Sequence, residues 1–227
     1  MTRGRACIYC LTLFKAAALT AEAVLPAALG GRLLLERAAC SDCAVRVRQL
    51  TDDFLSRRFE PTTAAMGASP SVRGVRPGAR VEPKSRANEP SRNDWRLAHR
   101  AAAKILYCYL LLELGETALM SPPLETLRKH VTADGPEPWT PRWEISHPLH
   151  SPSPRWHVLS FDAMPPSAAA IGLFGTIWFR FRFDFEALAP HGRLVALDAA
   201  RGARGLAVQR QRGTWRHRST VRWGWSR

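Results

Sequence analysis

Long apolar runs are missing from this 227-residue chain. The longest, Ile105 to Leu112, has eight residues, against the ~20 that a helix needs to cross a bilayer, so no membrane segment is expected. An uninterrupted secretory leader is lacking too. Arg3 and Arg5 precede an apolar stretch, but Lys15 breaks it and Cys7 and Cys10 stand inside it, and the expected location is cytoplasmic. Lysine is scarce: Lys15, Lys84, Lys104 and Lys129 are the whole complement, and every other basic side chain is arginine. Acid is also in deficit, with 33 Lys+Arg against 19 Asp+Glu and a net charge of +14. Such an excess favours polyanions through counterion release, nucleic acid foremost. The planar guanidinium fork suits phosphate, although a bias shared with the abundant alanine accounts for the arginines equally well. Histidine is absent from the whole N-terminal part, since none precedes His99.

The 46% apolar content is enough to bury a core. The 17 prolines and 15 glycines are unevenly spread and divide the chain into four blocks. Residues 1–60 hold four of the five cysteines and end in an expected helix, Ala44 to Phe59, with Val45, Leu50, Phe54 and Leu55 as its apolar stripe and Pro61 as its stop. Residues 61–93, rich in Pro, Gly, Ser and Arg, read as a linker with a short strand near Val72 to Val81. Residues 94–188 read as an α+β unit. Its strongest element is a helix from Trp95 to Leu114, with Leu97, Ala101, Ile105, Cys108 and Leu112 at helical spacing, Asp94 as N-cap and Gly115 as stop. A second helix is expected over Pro123 to His130. Strands are expected at Trp156 to Phe161 and at Ile177 to Phe185, where Phe179, Phe181, Phe183 and Phe185 share one face. Residues 189–227 form a tail with nine arginines, a single acid (Asp198), and Trp215, Trp223 and Trp225 interleaved. That mixture is able to stack on bases, and an unstructured extension has the same composition.

Cysteine is the residue type with an ordered pattern. Cys7-Ile8-Tyr9-Cys10 and Cys40-Ser41-Asp42-Cys43 are two Cys-x-x-Cys knuckles separated by twenty-nine residues. The two-residue gap lets both sulfurs of a knuckle reach one tetrahedral zinc, and two knuckles complete the ligand set. The long separation requires a hairpin between them. A redox dithiol belongs in a βαβ pattern, which the surrounding sequence does not have. Cys108, on the apolar face of the long helix, reads as a core thiol.

The residues between the knuckles carry a resemblance. Leu19-Thr20-Ala21-Glu22-Ala23-Val24-Leu25-Pro26, then Leu29-Gly30-Gly31, then Cys40-x-x-Cys43 resembles the zinc-containing HNH endonuclease family. Its members run Cys-x-x-Cys, Glu/Asp-His-apolar-apolar-Pro, Gly-Gly, Cys-x-x-Cys-Asn/His. The stretch His99 to Tyr107, Leu124-x-x-Leu127-Arg128 and Leu173-Phe174-Gly175 also look like the downstream region of some bacterial HNH-domain proteins. The resemblance implies an N-terminal ββα-metal module with structural zinc on Cys7, Cys10, Cys40 and Cys43, followed by an α+β domain. It further implies hydrolysis of DNA phosphodiesters with a divalent ion, Mg or Mn.

The departures from the family pattern bear on that activity. In the family the histidine after the acid is the general base, a role that needs a group titrating near neutrality. Here the acid is present as Glu22, the remaining catalytic candidate, but the histidine position is Ala23 and the Asn/His position after the second knuckle is Ala44. The expectation is therefore an HNH-like zinc protein with impaired hydrolysis. Arg46 and Arg48 are candidates for phosphate contacts. A non-catalytic DNA-binding protein and a decaying reading frame without function remain alternatives, and no protein partner is implied.

Overall fold

The computed structural model describes residues 4–31, 33–65, 91–133, 142–145, 156–162, 168–173, 177–182, 194–198 and 204–205. The chain opens with a small hairpin, β1 (Arg5–Ala6) against β2 (Leu13–Phe14). The first knuckle forms its turn, closed by hydrogen bonds from Cys7 N to Thr12 O and from Leu11 N to Cys7 O. A second hairpin pairs β3 (Thr20–Ala23) with β4 (Leu34–Ala39), Glu22 opposite Leu35 and Ala23 opposite Leu34.

The loop joining β3 to β4 explains its own glycines. After Pro26 and a 3-10 turn over Ala27–Leu29, Gly30 takes a φ of +86°, a region that side chains disfavour. A β-carbon on Gly31 would lie 1.9 Å from the carbonyl oxygen of Leu25, so the chain passes there only without one.

Two helices follow, α1 (Ser41–Leu50) and α2 (Asp52–Ala65), where the sequence predicts a single helix over 44–59. The break is at Thr51, which has a φ of −130° and a ψ of −67°. Its buried hydroxyl lies 2.7 Å from Val47 O and 3.0 Å from Asp52 Oδ1, a local bond that competes with the helical ladder. The expected stripe shifts accordingly. Val47, Leu55 and Phe59 are buried, whereas Val45 is exposed, because residues two apart on a helix face opposite ways. Pro61 does not end α2, which continues to Ala65. A proline removes one helical hydrogen bond, and here it does so in the closing turn.

Helix α3 (Arg92–Leu114) starts from a capping box in which the Ser91 side chain accepts from Asp94 N and the Asp94 carboxylate accepts from Ser91 N. Asp94 is thus the third residue of the helix rather than its cap. Gly115 closes the helix at a φ of +77°. From Ala101 to Leu111 every residue of α3 is buried, as expected for a helix enclosed on all sides. Helix α4 (Pro122–Thr132), with Pro122 at its first position, packs against α3.

The remaining strands are β5 (Arg142–Ile145), β6 (Trp156–Asp162), β7 (Ala168–Leu173), β8 (Ile177–Arg182), β9 (Leu194–Asp198) and β10 (Arg204–Gly205). They form one antiparallel sheet in the order β10-β9-β6-β7-β8-β5. Phe179 and Phe181 of β8 are buried and Arg180 is exposed, as the alternation predicts. Strands β9 and β10 come from the stretch that reads as a basic tail. The strand expected near Val72 to Val81, Phe183, Phe185 and the three tail tryptophans lie outside the described residues. One hydrophobic core runs from Cys7, Val24 and Leu55 through α3 and α4 to Phe179 and Phe181. Among the described residues no helix is long and apolar enough to cross a membrane.

Candidate functional site

Two side-chain clusters flank the β3–β4 hairpin. The first is the cysteine set. The turn between β1 and β2 presents Cys7 and Cys10. Cys40 caps the N-terminus of α1, and Cys43 lies in its first turn. The four sulfurs fall within 4.8 Å of one another, with Cys10 Sγ and Cys40 Sγ at 4.0 Å. A tetrahedral zinc with ~2.3 Å bonds requires sulfurs about 3.8 Å apart, so a small contraction seats the ion. The Cys40 backbone N–H points at Cys7 Sγ at 3.4 Å, the kind of bond that steadies a thiolate. Burial pushes the Cys7 thiol up. Burial also opposes ionisation of Cys10, but hydrogen bonds from Thr12, Cys7 and Cys43 outweigh it and bring this thiol down to about 7. The residues present fit a closed, structural metal site. Cys108 is fully buried, 3.7 Å from the Tyr9 hydroxyl, and stands apart from the cluster.

The knuckle is held from outside by the downstream helices. Tyr107 of α3 donates its hydroxyl proton to Ile8 O, and Arg128 of α4 donates to Tyr9 O at 3.1 Å. Both acceptors lie between the two cysteines of the first knuckle.

The second cluster surrounds Glu22. Its carboxylate is buried, and its Oε1 lies 2.8 Å from the ammonium of Lys104, which reaches in from α3. The same ammonium lies 3.1 Å from Asp52 Oδ2 and donates to the backbone oxygen of Ala23. The Thr51 break places Asp52 at the head of α2, where it faces Lys104. Burial works against a charged Lys104, but Asp52 and Glu22 outweigh it and hold the ammonium well above the usual lysine range. Burial pushes the Glu22 carboxyl up, with Lys104 acting against that rise and the Tyr9 hydroxyl adding a hydrogen bond.

The geometry places Glu22 beside Ala23, whose methyl offers neither a proton acceptor nor a metal ligand. The two fully described imidazoles, His99 and His130, are engaged with each other at 3.2 Å, and His99 with Arg180 O at 3.3 Å. Arg46 and Arg48 are exposed on α1, and Arg46 donates to Thr132 O at 2.7 Å. The oxygens of Glu22, Asp52 and Ala23 already hold an ammonium, so they do not fit an added divalent ion.

Sequence reasoning passes over Asp52 and Lys104. Lys104 carries a readable signal, being one of four lysines and a lone charge within the apolar face made by Ala101, Ile105 and Cys108. Asp52 carries none, because its place depends on the break at Thr51.

Neither the curated proteins nor the solved structures include a match to the chain. A family model described as HNH endonuclease matches residues 7–60, the segment that contains both knuckles, the β3–β4 hairpin and α1. Over residues 7–60 this chain is therefore similar to the HNH endonuclease family.

Proposed function

We propose that the chain is a zinc-stapled HNH-type protein that binds DNA without hydrolysing it. One observation carries the loss of hydrolysis. Where the family places its general base this chain has Ala23, and the backbone oxygen of that residue is taken by Lys104. Water activation needs a group that accepts a proton near neutrality, and a methyl does not. Ala44, at the family's supporting position, is equally inert. Binding is supported by the family's general action on nucleic acid and by a charge of +14 carried almost wholly by arginine. Exposed Arg48, together with Arg46 at the end of its bond to Thr132, is assigned to phosphate contacts.

The test joins duplex binding to plasmid nicking, with Mg2+ and Mn2+ each supplied to the zinc-loaded chain. The expected result is binding without nicks. The two phosphate contacts would weaken that binding roughly twelvefold between about 50 and about 200 mM salt. Nicking that disappears in Glu22→Gln would overturn the loss of hydrolysis. Absence of any binding at the lower salt would overturn the DNA half, leaving a chain without function in nucleic-acid chemistry.

A further inference from the structure

We infer that the Lys104 ammonium permanently replaces a divalent cation, so that the oxygen site around Glu22 is a built-in, metal-independent cation centre. The inference takes from the proposed function only the identity of Glu22; the rest stands on the geometry of the cluster. Three oxygens from two parts of the chain converge on one point: Glu22 Oε1 at 2.8 Å, Asp52 Oδ2 at 3.1 Å, and the backbone oxygen of Ala23. Two carboxylates and a carbonyl form a hard donor set, the type that selects Mg2+, Mn2+ or Ca2+ over softer ions. The point is enclosed, the side chains of Lys104, Glu22 and Asp52 being 1%, 9% and 15% exposed.

An ammonium has three N–H donors and no acceptor, and here it meets three acceptors, so each proton has its own oxygen. The lysine satisfies the site by direction as well as by charge. A divalent ion is excluded on two grounds. It would require the oxygens to close to about 2.0–2.6 Å around it, into space the nitrogen fills. It would also sit within bonding distance of a fixed positive charge in a poorly hydrated pocket, where like charges repel strongly. A divalent ion and this chain's lysine are therefore alternatives at one place. Supplying the missing imidazole alone leaves the place filled.

The experiment measures Mn2+ binding by electron paramagnetic resonance on the full, zinc-loaded chain, with zinc content as the check that the cysteine site is formed. Wild type should take up no Mn2+ that Glu22→Gln abolishes. Lys104→Ala should acquire one Mn2+ site, at least about tenfold tighter than any wild-type binding, lost again in Lys104→Ala/Glu22→Gln. If Lys104→Ala is unfolded in Mn2+-free buffer, recovery of the fold by Mn2+ but not by Na+ is the same result. Wild-type Mn2+ binding that depends on Glu22 overturns the inference. So does a zinc-retaining Lys104→Ala chain that gains no Mn2+ site, or an unfolded one that Mn2+ fails to restore. Loss of duplex binding would strike the proposed function and leave these outcomes untouched.

Discussion

Tyr107 donates its phenolic proton to the carbonyl oxygen of Ile8, fastening the buried centre of α3 to a backbone group that lies between two cysteines of the four-sulfur cluster. Removing one partner of a buried hydrogen bond strands the other, at about 1–3 kcal/mol. Tyr107→Phe keeps the ring and loses only the donor. Urea unfolding of this variant should show a loss in that range, accompanied by faster zinc transfer to a chelator. A stability loss with unchanged zinc release would mean that the bond supports packing alone.

The cysteine set should hold about one zinc per chain, and because such a site is unformed in the unfolded chain, its binding energy is folding energy. Cys40→Ala removes one of the four clustered sulfurs, the one at the N-cap position of α1. Zinc content by elemental analysis should fall to near zero and the thermal midpoint should drop. A well-folded wild type without zinc would count against the module as described.

Gly31→Ala places a methyl on the Leu25 carbonyl oxygen. Backbone cannot yield there without moving the β3–β4 loop, and the loss should exceed ~3 kcal/mol. Gly30→Ala carries the cost of a left-handed backbone at a φ of +86°, ~1–2 kcal/mol. Equal losses in the two variants, read by denaturant midpoint, would show that the loop rearranges instead.

The buried histidine pair gives the fold an acid-sensitive side. A carbonyl only accepts, so His99 donates from Nε2 to Arg180 O, and His130 donates in turn from Nε2 to His99 Nδ1. Burial, followed by His99, Arg100 and Arg96, brings the His130 imidazole down to about 3. The ordinary value is ~6.5, so below that pH the unfolded chain binds a proton that the folded chain refuses. Stability contributed by neutral His130 is complete above ~6.5 and declines as the pH falls towards ~3, with roughly 3 kcal/mol lost by about pH 4. His130→Phe should flatten this part of the pH profile. An unchanged acid slope in that variant would assign the slope to other groups.

Much of the N-terminal module is legible in the sequence because its constraints are local. Cys-x-x-Cys spacing brings two sulfurs together whatever lies downstream, and the glycine at position 31 is required by a carbonyl only six residues away. Helix α3 and strand β8 are equally plain, since Ala101, Ile105 and Cys108, or Phe179 and Phe181, repeat with the period of their element. What resists reading is set by distant partners. The single stripe drawn through Val45 and Leu55 assumes an unbroken helix, and only the buried Thr51 hydroxyl shows where it breaks. Glu22 reads as a lone acid until Lys104, eighty-two positions later in the sequence, supplies its counter-charge. No periodicity reports a bond between Arg128 and Tyr9, which are 119 residues apart.

The enclosure of α3 from Ala101 to Leu111 has a consequence for synthesis. Translation delivers residues N-terminal first, at ~5–20 per second, so both knuckles emerge well before the helix that braces them. During that interval Glu22 and Asp52 lack the Lys104 ammonium, and Ile8 and Tyr9 lack the donors of Tyr107 and Arg128. A nascent chain halted ahead of position 104 would carry the four clustered cysteines but lack the counter-charge its hairpin is built around. Completion of the cluster around Glu22 therefore waits on the arrival of the middle of the chain.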